Sequence, residues 1–302
     1  MQFSMWPNPE RPPAEVFDLA RMADADGWYG MWYADHYMPN TGDESIQPGD
    51  VHECWAMLPA IAAVTDRIRI GSLVSPTSVH HPALLANRAA SIDRLSDGRM
   101  VLGIGAGWQI NEHRAYGIEL AEPGPRVSRF DEAIQIVRSL LNEERTTFHG
   151  EYYDVTDAPC DPKPVQSPLP ILVGTGSPRM LRITARHADE WNTWGGPDMA
   201  GAALARLRTA CEQVGRDPAT IRTSAQALVF MSDNEELAGN IRSGGMGERS
   251  IVGSNAQLVD EVGRYVELGF DELIVPDFTL GGTAEERADR YRTFMAEIAA
   301  AV

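Results

Sequence analysis

The stretch IRIGSLVSPTSVHHPALLANRAASIDRLSDGRMVLGIG, residues 68–105, decides the fold. It opens on a branched and apolar run (68–75) that reads as a strand, passes through helically spaced residues (82–95), and returns to a second apolar run (99–105). A strand, a helix and a strand in this order make a parallel crossover unit. The same alternation extends outward in both directions. Strands are predicted near 2–6, 29–35, 170–174, 189–194, 221–230 and 270–276, and helices near 14–26, 54–65, 128–143, 178–188, 198–215, 255–267 and 284–300. With the quoted unit this gives eight strands, each followed by a helix. The prediction is an α/β fold, a closed (β/α)8 TIM-type barrel with insertions.

Local signals agree. Asn255 precedes the helix AQLVDEVGRYVEL as an N-cap, and Gly269 stands where that helix should stop. Several strands are apolar on both faces, as a sheet covered by helices and filled inside requires. An open doubly wound sheet is the alternative, weakened because no GxGxxG opens the first strand–helix unit. Insertions are expected at about 109–127, 145–169 and 231–254. The last, carrying SGGMGERSIVG, reads as a lid or as a disordered loop on the functional side. Residues 1–302 are taken as one domain.

Composition narrows the function. The chain carries 26 basic and 43 acidic side chains, a net charge of −17. That argues against nucleic acid and anionic membrane as partners, since both select basic surfaces. An anionic ligand must therefore be met by local donors and arginines. Three scattered cysteines without a CxxC suggest neither a disulfide framework nor a zinc knuckle. The N-terminus lacks a secretory pattern and no apolar run has membrane-spanning length, so a cytoplasmic location is expected. His80-His81 has no third ligand at sensible spacing, and no metal is expected. P-loop, HExxH and GxSxG motifs are missing.

In a barrel, chemistry collects at the strand C-termini. The second strand ends at Asp35-His36, where an acidic neighbour could orient a titrating imidazole; a plain loop histidine is the alternative. The fourth ends in Gly103-Ile104-Gly105-Ala106-Gly107-Trp108, with Glu112 close behind. Its alternate glycines would let a flat ring or a phosphate approach the backbone, or would simply form a glycine-rich barrel corner. The fifth ends in Gly174-Thr175-Gly176 before a helix start, an anion-binding arrangement, with Arg179, Arg182 and Arg186 nearby as ligands or as a solvated face.

The blocks YGMWYADHY, TDRIRIGSLVSPTSVHHPALLANRAASIDRLSDGRMVLGIGAGWQINEHRAYGI and GEYYDV…PILVGTGSPRMLRITARHADEWN resemble the bacterial luciferase-like superfamily. More narrowly they resemble its coenzyme F420-dependent oxidoreductases, from about residue 15 to residue 280. The resemblance implies an enzyme moving a hydride between the deazaflavin F420 and a small-molecule substrate. An FMN-dependent monooxygenase and a non-catalytic flavin-binding protein are the alternatives, and a homodimer is the expected assembly. It implies that His36 lies by the reactive face of the ring, and that Ser72-Leu73 forms a bulge with a non-proline cis peptide. It further implies that Ala106 and Gly107 touch the cofactor through backbone, and that Gly174, Thr175 and Gly176 hold its phosphate. Two positions depart from the sugar-phosphate dehydrogenases of this group. Asn40 stands where they have tryptophan, and Trp108 stands where they have a catalytic glutamate. His36 is the expected proton donor or hydrogen-bond partner of the substrate, with Asp35 orienting it. Trp108, Trp194 and Met5 are expected pocket walls, and Glu112 and Glu53 further acid–base candidates.

Overall fold

Strands form where branched and apolar residues are densest. In the computed structural model, which describes residues 1–302, the barrel strands are β1 (Gln2–Trp6), β2 (Gly30–Tyr33), β3 (Arg69–Ser72), β4 (Met100–Gly105), β5 (Ile171–Gly174), β6 (Glu190–Trp194), β7 (Arg222–Gln226) and β8 (Glu272–Pro276). Each pairs in parallel with the next, and β8 pairs with β1, with Gln2 opposite Glu272 and Trp6 opposite Pro276. The sheet is closed, which removes the open doubly wound alternative. The enclosing helices are α1 (Pro13–Ala25), α2 (Cys54–Ala63), α3 (Pro82–Leu95), α4 (Pro123–Asn142), α5 (Pro178–His187), α6 (Pro197–Val214), α7 (Asn255–Leu268) and α8 (Ala284–Thr293). None is long and apolar enough to cross a membrane.

Side chains alternate across each strand, so the period of two sorts them into two cores. A cluster of 66 buried residues, Phe3, Met5, Ile70, Leu102 and Val275 among them, fills the space between barrel and helices. Seven others, Trp6, Trp32, Ala34, Leu73, Val101, Leu172 and Ile274, form the apolar plug inside the barrel. At about 1.5–3 kcal/mol for each large side chain fully buried, the outer layer carries most of the hydrophobic stabilisation.

Below the plug, at the N-terminal ends of the strands, the interior is ionic. Arg69 pairs with Glu190, and Arg222 Nη2 lies 3.6 Å from Glu272 Oε2. Trp32 Nε1 donates to Glu272 Oε1 at 2.8 Å, and both guanidinium groups lie over the Tyr29 ring, at 5.2 and 4.7 Å.

Several boundaries differ from expectation. The cap of α7 is Ser254 rather than Asn255: its hydroxyl accepts from Gln257 N while the Gln257 side chain accepts from Ser254 N, a reciprocal capping box. Gly269 ends that helix in the left-handed region, as expected. Helix α4 starts at Pro123, five residues early, because proline suits a first helical turn. That shortens the insertion at 109–127, which itself holds a helix, Ile110–Tyr116. The segment 145–169 forms an antiparallel hairpin, Thr146–His149 with Asp154–Ala158. The apolar run expected as one strand over 221–230 splits after Gln226. Its second part, Leu228–Met231, leaves the barrel to pair with Ser250–Gly253, with a helix, Glu235–Ser243, between them. Residues 231–254 therefore carry regular structure.

Candidate functional site

A cavity of about 810 Å³ opens at the C-terminal ends of the strands. Every barrel strand or the loop behind it contributes a wall residue: Trp6, His36, Leu73, Trp108, Gly174, Trp194, Gln226 and Phe278, from β1 to β8 in order.

The turn after β2 is held by an underlying polar network. Asp35 is fully buried and accepts from Ser75 Oγ (2.5 Å), His80 Nε2 (2.8 Å) and Trp55 Nε1 (2.9 Å). Arg88 donates to His80 Nδ1 at 3.3 Å, which leaves Nε2 as the protonated nitrogen facing the carboxylate. Burial alone would raise the Asp35 pKa, but the hydrogen bonds from His80, Ser75 and Trp55 outweigh it and hold the carboxyl below its ordinary value. Burial, with the Asp35 charge behind it, pushes the Tyr37 phenol up.

Asp35 does not orient His36, contrary to expectation. The backbone extends there, so adjacent side chains diverge: Asp35 turns into the protein and His36 into the cavity. The partner of His36 is Glu112, whose Oε1 lies 3.1 Å from Nδ1 while its Oε2 accepts from Tyr37 N at 2.9 Å. Glu112 is itself buried, on the short helix after β4, and its backbone N–H is held by Asn111 Oδ1 at 2.8 Å. One carboxylate thus fixes both the ring and the backbone of the 36–37 turn. His36 Nε2 has no protein partner and faces the cavity. Trp108 meets the imidazole edge-on, 5.4 Å between ring centres.

Strand β3 breaks after Ser72, and Leu73 and Val74 rise as a hump into the cavity before Ser75 and Pro76 resume pairing with β4. The cis peptide is Leu73–Val74, one bond later than expected. Ser72 does not reach the cavity; it is buried and its hydroxyl donates to Gly103 O at 2.8 Å. The glycines of β4 serve this hump rather than a ligand. A Cβ at Gly103 would stand 1.8 Å from Ser72 O, and one at Gly105 would meet Val74 Cγ2 at 2.8 Å. The glycine-rich barrel corner is the correct reading at both positions. Ala106 and Gly107 do not line the cavity either. Gly107 has a φ of 91° that turns the chain out of β4, and its α-carbon packs beneath the Ser78 hydroxyl.

The loop after β5 does line it, through Gly174, Thr175 and Gly176. A Cβ at Gly176 would meet nothing within 4 Å, so the open face there is not a packing requirement. Arg179, Arg182 and Arg186 point elsewhere; Arg179 donates to Gly124 O and Ser128 Oγ, tying α5 to α4. The cations that reach the cavity are Arg206 and Arg249. Arg206 shares one face of α6 with Met199 and Ala203, a spacing of i, i+4, i+7 that a sequence reading could have flagged. Arg249 is brought over the start of α6 because Glu248 O accepts from Gly196 N at 2.8 Å. Its place rests on an excursion between β7 and α7 that no local pattern announces.

Trp194 forms part of the wall as expected, and Met5 does not: it is fully buried in the outer core, and the wall residue of β1 is Trp6. Glu53 caps α2, accepting from Ala56 N at 2.6 Å, and lies off the cavity. His80 and His81 are structural, one on Asp35 and the other capping α3. Three buried polar atoms of the wall have no protein partner, Trp6 Nε1, Gln109 Oε1 and Gln226 Oε1. A buried group left unpaired costs about 1–3 kcal/mol, so these atoms are suited to a ligand.

A parallel barrel with a polar-edged, aromatic cavity at its strand C-termini defines a small-molecule enzyme of the (β/α)8 class. The chain belongs to the luciferase-like monooxygenase family, whose model it matches over residues 1–241. It is 34% identical over 235 residues to an F420-dependent glucose-6-phosphate dehydrogenase of Kineococcus radiotolerans, covering 76% of this chain and 68% of that one. To another so named from Microbacterium testaceum it is 29% identical over 300 residues, 88% of each. Among solved structures, an F420-dependent secondary alcohol dehydrogenase superposes with a TM-score of 0.83 at 17% identity, covering 100% of this chain and 98% of that one, a likeness of fold.

Proposed function

We propose that this protein is an oxidoreductase that transfers a hydride between coenzyme F420 and an organic substrate, with His36 handling the proton. The observation that carries the reading is the His36–Glu112 pair, a cavity-facing imidazole whose inner nitrogen is committed to a buried carboxylate. The names of its relatives point to the cofactor, and the cavity residues fit it. Gly174, Thr175 and Gly176 would take its phosphate, Arg206 and Arg249 would face its anionic tail, and the Leu73–Val74 hump would back its ring. When bound, the deazaflavin supplies a two-electron hydride carrier.

The protein's part is positional and protic. With Nδ1–H donating to Glu112, neutral His36 presents Nε2 as an acceptor, ready to take a proton from a substrate hydroxyl. In the reverse direction the protonated ring gives that proton back. Trp6 and Trp194 would wall the reacting centre against water, with the exposed Trp108 and Phe278 at its rim. Glu112 is a positioning residue. Glu112→Gln should lower kcat with KM for the substrate little changed.

The decisive experiment titrates the purified protein with F420 and FMN side by side. Tighter binding of F420, weakening with salt as expected for a local cationic patch on an acidic protein, supports the reading. Equal or better affinity for FMN overturns it and favours the monooxygenase chemistry of the family name. We also assign the protein to the cytoplasm, where its three buried, free cysteines would stay reduced. The pairing of strands from the two chain ends supports one domain over residues 1–302. We further propose a homodimer. Exposed Leu84 and Leu95 share one face of α3 and offer apolar surface for it, and sedimentation would give the mass.

A further inference from the structure

The cavity is chemically divided. On the α6 side are the glycine loop after β5 and the cations Arg206 and Arg249, both exposed at the rim. Toward β1, β2 and β8 the wall is Trp6, Met38, Val51, Trp108 and Phe278, with Trp194 reaching across from β6. Trp6 is the centre of this apolar end, with ring centres 5.4 Å from Trp194 and 5.1 Å from Phe278. His36 borders it through Trp108.

Charge follows the same division. Besides His36, the charged wall residues are Glu10, Arg206 and Arg249, and none of the three is buried. Glu10 guards the mouth of the apolar end, on the loop after β1. That loop is fixed by Asp277, which accepts from Asn8 N and from Arg11 Nε, each at 3.0 Å. A phosphorylated or carboxylated substrate at this end would meet a carboxylate at the mouth and no cation inside. The arginines lie at the opposite end, beside the glycine loop that suits the cofactor's own phosphate. Anions need a paired or donor-rich environment once desolvated. The buried groups offered here are instead neutral: the Trp6 indole N–H and the Gln226 amide oxygen, neither with a protein partner.

We propose that the substrate is an uncharged, largely apolar molecule, aromatic or alicyclic, whose carbonyl or hydroxyl oxygen reaches His36 while its body lies against Trp6, Trp194 and Phe278. This rests on the hydride-transfer reading above. It sets the protein apart from relatives named for glucose 6-phosphate: the rim arginines serve the cofactor end, and the reacting end selects against anions.

The test uses a matched set of probes, acetophenone, its para-carboxylate and glucose 6-phosphate. Each is titrated into protein saturated with F420 and into protein without it, with tryptophan fluorescence as the readout. Trp6, Trp108 and Trp194 lie on the wall, so occupancy quenches them directly. The expected result is quenching by acetophenone at concentrations roughly tenfold or more below those needed for its carboxylate, and none by glucose 6-phosphate. Phe278→Ala, at a partly exposed site, should weaken acetophenone binding by about three- to tenfold, the scale of one aromatic contact, with F420 affinity unchanged. Trp194→Phe should weaken it less. Glu10→Gln should improve binding of the carboxylate alone, and the gain should shrink with added salt. Glucose 6-phosphate or the carboxylate binding as well as acetophenone overturns the proposal, as does an absence of quenching by acetophenone. So does a Phe278→Ala protein that loses F420 and keeps the ketone. Failure to bind F420 refutes the cofactor reading instead, because quenching of the unloaded protein still reports the apolar end.

Discussion

The two ends of the barrel interior are built from the same strands and carry different kinds of polar group. At the N-terminal end four charged side chains, Arg69, Glu190, Arg222 and Glu272, face one another across Tyr29 and Trp32. At the C-terminal end the buried carboxylates Asp35 and Glu112 lie behind the wall, and the buried polar atoms of the wall itself, on Trp6, Gln109 and Gln226, are neutral and without protein partners. The apolar plug of Trp32, Val101, Leu172 and Ile274 separates the two. The ionic set pairs charge with charge, although Arg222 Nε and Nη2 and Glu272 Oε2 make no hydrogen bond, and its use is to hold the strands in register. An open set of neutral donors and acceptors is worth little to the protein alone and has its use when something binds.

If that contrast is right, substitutions at the two ends should divide rate from stability. The largest effect expected is on His36→Ala, which should lower turnover by about 10²–10⁴-fold while melting temperature and cofactor affinity stay near wild type. Steady-state kinetics beside a thermal melt would read it. A variant that turns over normally, or one that fails only because it unfolds, would break the functional half of the comparison.

Next is Glu272→Ala at the other end. It leaves Arg222 without its counter-ion and Trp32 Nε1 without an acceptor, and should cost about 3–5 kcal/mol of stability. Urea unfolding gives the number. Near-wild-type stability would mean that water enters the lower barrel.

Asp35 lies between the two behaviours, a buried network placed directly beneath the open site, with three donors on Oδ2 and none on Oδ1. Its pKa is lower in the folded protein than in the unfolded chain, so its contribution is complete above the ordinary value of 3.8 and is lost as pH falls through the folded value. Asp35→Asn should therefore destabilise by about 1.5–3 kcal/mol at neutral pH, the scale of hydrogen bonds to a charged group. The gap to wild type should close in acid, below pH 3.8. A gap that does not depend on pH would show that Asp35 acts through shape alone. The smallest effect belongs to Ser254→Ala, outside both ends, where loss of the capping box should cost about 1 kcal/mol with kcat unchanged.

The sequence made the fold legible because each strand is a dense apolar run and each helix has its own spacing and caps, Gly269 among them. It also pointed to His36, Trp108, Trp194 and the 174–176 loop, since strand ends in a barrel converge on one face. What it could not give was the direction of single side chains. One step of parity separates Met5 in the outer core from Trp6 in the cavity, and the same step sends Asp35 inward while His36 faces out. Glu112 was found as a candidate acid but not as the partner of His36, because that contact joins residues 76 positions apart. Arg206 is legible only through the face of α6 that it shares with Met199 and Ala203, and Arg249 sits on an excursion whose return to α6 depends on a tertiary hydrogen bond.

The hump of β3 has a consequence for anyone who would reshape this enzyme. A single side chain, Val74, fills the space where Cβ atoms would otherwise stand at Gly105 and Gly174, at 2.8 and 3.2 Å, and lies 3.2 Å from that of Gly103. Two glycines on two strands, Gly105 and Gly174, are thus hostage to one valine, while Gly103 is closed by the Ser72 carbonyl whatever stands at 74. A mutagenesis library that varies 103, 105 or 174 one at a time will be populated mostly by collisions. The productive variable is position 74: trimmed to alanine it would deepen the chamber floor, and only then would a methyl group at 105 or 174 find room, so new specificities should arrive in linked pairs.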